Sequence, residues 1–317
     1  MALASPTPEP APPWPVVVAG LGGSGTRLLV ALLRFAGVQM GTKVNATEDA
    51  LAFRRFNQTW IRPFLQHRRG QLPELDFALM AEDLRRTLDD HCADFSDPAR
   101  PWGWKRPESI HLLPFLHQQL PGLTFLHLIR NGLDMAFSTN QNDLRRYGDI
   151  ALSRAHEHEP EPLRSQRLWA LANTAVADYG ESHLGARYLR IPYELLCSRP
   201  EETISTLFRS LGLPADPAAA ARLVTAPQTI GRWRTQSDLH LLVRLLQAGE
   251  PALRRFGYWD DAAYRQLTAR VGPWRLTLLP VENLARRVRH LLARAARAAR
   301  ERRLRAAVRN QWARWIR

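Results

Sequence analysis

A glycine-rich stretch near the start of the chain, within residues 16–37, limits the possible folds more than any other feature. It begins with Val16, Val17 and Val18, continues through closely spaced glycines and ends in an apolar run. This pattern predicts a buried strand, a tight turn and a helix that starts at about Ser24. Glycines let the backbone fold around an anion, and the helix adds the positive end of its dipole. The stretch therefore predicts a phosphate-binding loop.

The spacing of Gly20 and Gly25 matches the P-loop frame, but the next residues are Thr26 and Arg27. A nucleoside triphosphatase has Lys followed by Ser or Thr at these two positions. The loop thus lacks the lysine that contacts the β- and γ-phosphates and the adjacent hydroxyl that holds magnesium. It favours a nucleotide held by a 5′-phosphate end, and an ordinary glycine-rich turn is the alternative.

The positive charge is concentrated at the C-terminal end. The formal net charge is +14, and residues 286–317 contain twelve arginines and one acid, Glu301. The preceding residues are nearly neutral, which argues against nucleic-acid binding by the globular part. From about residue 280, apolar residues recur every three or four positions among these arginines. Such a helix suits an anionic membrane surface, and a solvated helix packed on the domain is the alternative.

The remaining composition is that of a globular protein. With 317 residues and 45% hydrophobic residues, the chain can form one α/β domain with an appendage. Its two cysteines, Cys92 and Cys197, suit neither a disulfide framework nor a metal site, which favours the reducing cytoplasm. Residues 1–14 are expected to be a disordered leader, and no apolar run approaches a membrane span. The preference for arginine and alanine suggests a bacterial source.

A second strong signal occupies residues 123–138. An apolar strand ends at Arg130, a turn containing glycine follows, and a helix begins. Ligands of open α/β sheets bind beyond the carboxyl ends of the strands, which is where Arg130 would lie. An arginine can bind phosphate through two N–H groups, and Ser138 can supply a further donor.

Lysine is almost absent, and one of the two lysines has an unusual setting. Lys105 lies between tryptophans and Pro107, and Lys43 is the only other lysine. This favours a specifically placed charge, with an ordinary surface lysine as the alternative. Elsewhere, helical spacing predicts helices over residues 50–69, 76–95, 109–120 and 162–183, and residues 37–41 are expected to return to the sheet or its edge.

These elements together resemble the sulfotransferases that use 3′-phosphoadenosine-5′-phosphosulfate (PAPS). Residues 24–26 match the Ser-Gly-Thr of the family's 5′-phosphosulfate loop, and Arg130, Asp134 and Ser138 match its 3′-phosphate motif. Three more elements occur in the same order as in the family: the Lys-x-Pro of residues 105–107, the segment 187–196 around Tyr193, and the Gly-x-Trp loop of residues 230–234. The resemblance spans about residues 16–235.

The resemblance implies a P-loop-like fold, a three-layer αβα arrangement on a parallel sheet. The domain would span residues 15–279, and the basic helical extension of residues 280–317 lies outside the resemblance. The implied reaction moves a sulfuryl group from PAPS to a hydroxyl of a carbohydrate, lipid or small metabolite, leaving 3′,5′-adenosine bisphosphate (PAP) and requiring no metal. The residues it assigns to the cofactor are Gly22, Gly23, Ser24, Gly25, Thr26, Arg27, Arg130, Ser138, Tyr193, Arg232 and Trp233.

One departure from the family concerns catalysis. Many members carry Lys or Arg directly before the Ser-Gly-Thr, where this chain has Gly23. Lys105 and Arg27 are the candidates for the missing cation, and Lys105 is favoured because its motif is intact.

A hydroxyl acceptor also needs a general base. Glu48 is the first choice, because some bacterial members use a carboxylate shortly after the loop helix. The alternatives are Asp49, Glu108 and His111. Residues 47–49 can equally be the solvated start of a helix.

Other functions remain open at the level of the sequence. A small-molecule kinase is disfavoured by the missing loop lysine. A relative that binds nucleotide or membrane without catalysis is allowed by Gly23. No nucleic-acid partner is expected, although the extension alone could bind one. Peripheral attachment at the inner membrane face would use the same extension.

Overall fold

A parallel sheet lies at the centre of the fold in a computed structural model that describes residues 15–97 and 99–271. In this part of the chain the sheet has four strands in the order β2-β1-β3-β4. They are β1 (Val16–Ala19), β2 (Gly103–Lys105), β3 (Thr124–Ile129) and β4 (Tyr188–Pro192). The predicted leader, the predicted boundary at 279 and the basic extension lie outside the described residues.

The strand order creates a crevice beside β1. The chain leaves β1 toward β2 on one side and later returns to place β3 on the other side. Val17 pairs with Trp104 of β2 and with Phe125 of β3. The loops that follow β1 and β3 therefore diverge at the same sheet edge, the position at which open α/β sheets bind ligands.

Helices cover both faces of the sheet. The helices of residues 15–260 are α1 (Thr26–Phe35), α2 (Phe53–Arg68), α3 (Phe77–Cys92), α4 (Leu113–Gln119), α5 (Gly132–Ala136), α6 (Asn142–Ala151), α7 (Glu161–His183), α8 (Tyr193–Ser198), α9 (Pro200–Ser210), α10 (Pro217–Ala221) and α11 (Leu239–Arg255). A further helix, α12 (Asp261–Val271), follows them in the sequence. Short 3-10 turns occur at Pro107–His111, Arg154–His156, Gly185–Arg187 and Arg232–Thr235.

Successive side chains of β3 point to opposite faces of the sheet, so the core has one layer on each face. Leu126 and Leu128 share a fully buried cluster with residues of α1 and α9. His127 points to the opposite face, where it hydrogen bonds to Asn173 of α7. This arrangement confirms the predicted three-layer α/β fold with a parallel sheet.

Most predicted elements agree with the observed ones. The helices predicted over 50–69, 76–95 and 162–183 correspond to α2, α3 and α7, and residues 109–120 form the end of a 3-10 turn followed by α4. Gln39 makes a single parallel bridge to Trp102 at the sheet edge. Strand β2 was not predicted, because three residues between tryptophans and a proline are too few to show a strand period.

The contacts divide the chain after Asp260, and α12 belongs to the second unit. Within α12, the hydroxyl of Thr268 donates a hydrogen bond of 3.0 Å to the carbonyl of Tyr264. None of the helices within the described ranges is long and apolar enough to cross a bilayer.

Candidate active site

The loop of residues 20–26 joins β1 to α1 in a conformation that depends on glycine. Gly23 and Gly25 have φ angles of 94° and 96°, in the left-handed region that other residues avoid. A side chain at Gly25 would overlap the ring of Tyr193. The Ser24 hydroxyl is buried and has no hydrogen-bond partner in the described part of the chain. The loop offers amides and an unpartnered hydroxyl, which suit an anion.

Arg130 lies directly after β3 and faces this loop. Its Nη2 donates to Thr229 Oγ1 at 2.8 Å, and its Nη1 lies 3.5 Å from the carbonyl oxygen of Gly23. The guanidinium carbon is 5.1 Å from the ring centre of Tyr193. The Nε atom is buried and, among the described residues, has no partner. One buried cation with a free donor thus lies between the loop and the Tyr193 ring.

Three side chains hold the backbone on both sides of Arg130. Trp169 Nε1 donates to the carbonyl oxygen of Arg130 at 2.9 Å. The single hydrogen of the Tyr258 hydroxyl is shared between the carbonyl oxygen of Ile129, at 3.0 Å, and Glu194. Glu194 accepts from the Asn131 amide at 2.9 Å and from Tyr258 Oη at 2.8 Å. Burial, with the charge of Glu194, raises the pKa of Tyr258 well above its ordinary value, which keeps the hydroxyl a donor.

Asp134 fixes the segment that carries Arg232 and Trp233. Its carboxylate accepts from the amides of Gly231 at 2.7 Å and Trp233 at 3.2 Å. Arg232 in turn donates to the carbonyl oxygen of Phe137 at 3.3 Å. The buried Asp134 carboxylate therefore attaches the segment of Arg232 and Trp233 to the turn after β3 through charge-assisted hydrogen bonds.

Ser138 borders the same loop. A Cβ built on Gly23 would lie 3.3 Å from Ser138 Oγ, and the hydroxyl oxygen accepts from the Asn140 amide at 3.2 Å. The 3′-phosphate motif expected from the sequence therefore lies beside the glycine loop.

Lys105 ends β2 beside the loop. Lys105 pairs in register with Val18 of β1, and its side chain is 4% exposed. The ammonium donates to the Thr47 carbonyl at 2.8 Å and forms an ion pair with Asp49. Burial lowers the pKa of Lys105, and Asp49 offsets this only in part. Burial also opposes ionisation of Asp49, but the Lys105 hydrogen bond and charge outweigh it and lower the Asp49 pKa.

Two cavities lie against opposite parts of the loop. The Gly22 cavity, of about 450 Å³, is lined by Gly22, Asp49 and Asp143 among others. The Gly25 cavity, of about 490 Å³, is lined by Gly25, Tyr193 and several aliphatic side chains. The two cavities share no lining residue, so the loop borders two separate spaces.

The expected base, Glu48, lies on the Gly25 side. It lines that cavity, and its carboxylate forms an ion pair of 2.6 Å with Arg34. Glu48 also has a φ of 64°, an uncommon backbone conformation for this residue type. The neighbouring Asp49, paired with Lys105, lines the Gly22 cavity instead.

Asp143, at the start of α6, was missed by the sequence reasoning. Its Oδ2 accepts from the Gly22 amide at 2.7 Å, and its Oδ1 lies 3.3 Å from His111 Nε2. Glu108, by contrast, is paired with Arg106 at 2.9 Å and with Arg146. No local pattern singled out Asp143, because its contact with the loop spans 121 positions.

The structure gathers most of the predicted cofactor residues in one place. The loop, Arg130, Ser138 and Tyr193 lie together, and Arg232 and Trp233 are attached to the same turn through Asp134. Arg27 is exposed on α1 and lines the Gly25 cavity. Within residues 15–97 and 99–271, no three His, Cys, Asp or Glu side chains are grouped to hold a metal ion.

Comparison with known proteins gives the following similarities. A family model described as "Sulfotransferase family" matches residues 15–217. Similar solved structures include a sulfotransferase from Mycobacterium avium, with 13% identity, a TM-score of 0.44 and 66% of each chain covered. Another is the sulfotransferase domain from the curacin biosynthetic pathway, with 14% identity, a TM-score of 0.46 and coverage of 77% of this chain and 97% of that one. A sulfotransferase from Alicyclobacillus acidocaldarius has 15% identity, a TM-score of 0.47 and coverage of 79% and 98%. A comparison with curated proteins finds no match.

Proposed function

Because this chain belongs to the sulfotransferase family, we propose that it transfers a sulfuryl group from PAPS to a hydroxyl group of an acceptor. The observation that carries the proposal is the placement of Arg130 beside the glycine loop. A helix N-terminus and a buried arginine with a free donor provide for two separate anionic groups. PAPS has such groups, a 5′-phosphosulfate and a 3′-phosphate.

The residues around the loop fit this donor. Ser24 Oγ and Arg130 Nε are buried polar atoms that a phosphate could satisfy. We assign residues 22–27 to the 5′-phosphosulfate, and Arg130 and Ser138 to the 3′-phosphate. Tyr193 and the aliphatic walls of the Gly25 cavity suit a flat base, and Arg232 and Trp233 would cover the 3′ end.

When bound, PAPS supplies an activated sulfuryl group whose bond to phosphate breaks as the acceptor oxygen bonds to sulfur. The protein's part is to stabilise charge that builds up on oxygen. Lys105, at the end of β2, is the cation that we assign to this role in place of a lysine at Gly23. The loop amides and the Thr26 hydroxyl are the other donors.

The acceptor hydroxyl must lose a proton, and we assign its removal to Asp143. This carboxylate lines the Gly22 cavity and touches the loop at Gly22, whereas Glu48 lines the cavity on the other side. His111 lies behind Asp143 and would hold the carboxylate in place.

Calorimetric titration with PAP, and separately with ATP plus magnesium, tests the donor assignment. We expect PAP to bind and Arg130→Ala to weaken it about 10- to 100-fold, the range for charge-assisted hydrogen bonds. Arg209→Ala, at an exposed arginine in α9, is the matched control and should leave affinity unchanged. Binding of ATP without binding of PAP would contradict the proposal and favour the kinase.

A further inference from the structure

The Gly22 cavity has unusually polar walls. Of the described residues that line it, only Gly22, Leu51 and Pro107 lack a polar side chain, and none is aromatic. Four side-chain amides face it, those of Asn45, Gln58, Asn140 and Asn142. Small-molecule sites of this size are usually lined mainly by apolar and aromatic groups. The cavity therefore selects against a flat phenol or an acyl chain, which would desolvate these groups without hydrogen bonding to them.

The charges in these walls are largely balanced. Glu108 pairs with Arg106 and Arg146, and Asp49 pairs with Lys105. The lining contains three carboxylates and three guanidiniums in all, and exposed Arg54 forms no ion pair within the described residues. A ligand rich in neutral groups that both donate and accept can satisfy such walls without breaking the ion pairs.

We propose that the acceptor is a neutral polyhydroxylated molecule, such as a sugar or a cyclitol, bound in the Gly22 cavity. Hydroxyl groups are both donors and acceptors, so they can pair with amides, carboxylates and guanidiniums alike. Asp143 in this cavity contacts the loop, so one hydroxyl of the bound ring would lie near the proposed donor. This assignment rests on the proposed sulfotransferase function.

The test supplies the full chain with PAPS and compares acceptors by PAP release and by mass spectrometry of the product. The polyhydroxyl probes are methyl β-glucopyranoside, maltose and myo-inositol, and the apolar probes are 4-nitrophenol and 1-dodecanol. We expect sulfation of at least one polyhydroxyl probe at a kcat/KM above that of both apolar probes. Sulfation of an apolar probe alone, or of none while PAP still binds, overturns the assignment but not the PAPS site. Absence of PAP binding overturns the proposed function itself.

A variant pair links the acceptor to this cavity. Gln58→Leu removes an amide from the exposed face of α2, and Gln66→Leu makes the same change on that helix outside the cavity lining. We expect Gln58→Leu to raise the KM of the sugar about two- to tenfold, the value of one neutral hydrogen bond. The KM of PAPS should not change, and Gln66→Leu should match the wild type. Equal effects of both variants would overturn the cavity assignment.

Discussion

Lys105 and Lys43 have the same chemistry in opposite settings. The Lys105 side chain is 4% exposed and faces Asp49, whereas the Lys43 side chain is 54% exposed and pairs with Asp90. A buried ion pair costs desolvation that only good geometry offsets. A chain that uses arginine almost everywhere else thus has a lysine, which carries a compact charge, at the end of the strand that pairs with β1.

Replacing each lysine in turn tests whether the charge of Lys105 takes part in catalysis. We expect Lys105→Met to reduce kcat about 100- to 1,000-fold, the range for removing one preorganised stabiliser of developing charge. Lys43→Met should leave kcat unchanged. Because Lys105→Met leaves Asp49 buried without its partner, the double variant with Asp49→Asn is measured as well. Full activity in that double variant, with normal thermal unfolding, would exclude a catalytic role for Lys105.

Asp143 and Glu48 can be distinguished by the pH profile of turnover. We expect Asp143→Asn to lower kcat about 100-fold or more and to remove the acidic limb of the kcat profile, since the amide cannot accept the proton. Glu48→Gln, whose carboxylate faces Arg34 on the Gly25 side, should keep that limb. The reverse outcome would return the base to Glu48.

The sequence predicted those candidate site residues that a local pattern marks. The glycines of residues 20–26 and Arg130 follow buried strands, and a strand followed by a turn and helix can be predicted from neighbours alone. Asp143, Glu194 and Tyr258 could not be assigned in this way, because their contacts at the site span 121, 63 and 129 positions. Such contacts depend on how the elements pack, which composition and periodicity do not specify.

At the scale of elements, α7, α8 and the segment after α11 converge on the end of β3. Trp169, Glu194 and Tyr258 come from these three places and bond to consecutive backbone groups around Arg130. An arginine that binds one ligand group needs a fixed backbone, since each freed rotamer costs entropy on binding. The strand end is thereby held from outside the sheet as well as by its neighbours.

Removing one hydroxyl from this arrangement tests its role in positioning Arg130. We expect Tyr258→Phe to weaken PAP binding about two- to tenfold, the value of a neutral hydrogen bond, while thermal unfolding changes little. Tyr179→Phe makes the same change at a hydroxyl that contacts His117 and should leave PAP affinity unaltered. Unchanged PAP affinity in Tyr258→Phe would show that the contact is purely structural.

At the scale of the whole molecule, one buried histidine connects the sheet to α7. His127 Nδ1 lies 2.7 Å from Tyr188 Oη, and Nε2 lies 2.9 Å from Asn173 Oδ1. Asn173 Nδ2 donates to the Trp169 carbonyl, so its oxygen accepts from His127 Nε2–H. The neutral ring is then satisfied as one donor and one acceptor. Protonation would turn Nδ1 into a second donor, so the Tyr188 hydroxyl would have to turn and accept from the ring instead of donating to it.

Because of this histidine, we expect the free energy of unfolding to depend on pH. Burial lowers the pKa of His127 to about 3 from 6.5. Between these values the unfolded chain binds a proton that the folded chain does not, so stability falls as the pH falls below 6.5. The free energy of unfolding should decline from this group by up to about 1.4 kcal/mol per pH unit. Urea unfolding across this window measures the slope.

We expect His127→Gln to have a shallower slope below pH 6.5 than the wild type, because glutamine does not titrate. His183→Gln, the same change at an exposed histidine, should keep the wild-type slope. A His127 ring that titrates near pH 6.5 in the NMR spectrum of the wild-type protein would refute the argument even if the variant does not fold. The buried hydrogen bonds that connect Tyr188, His127, Asn173 and Trp169 would then include a charged ring. The hydrogen bond from Trp169 to the Arg130 carbonyl would in that case be sensitive to pH near neutrality.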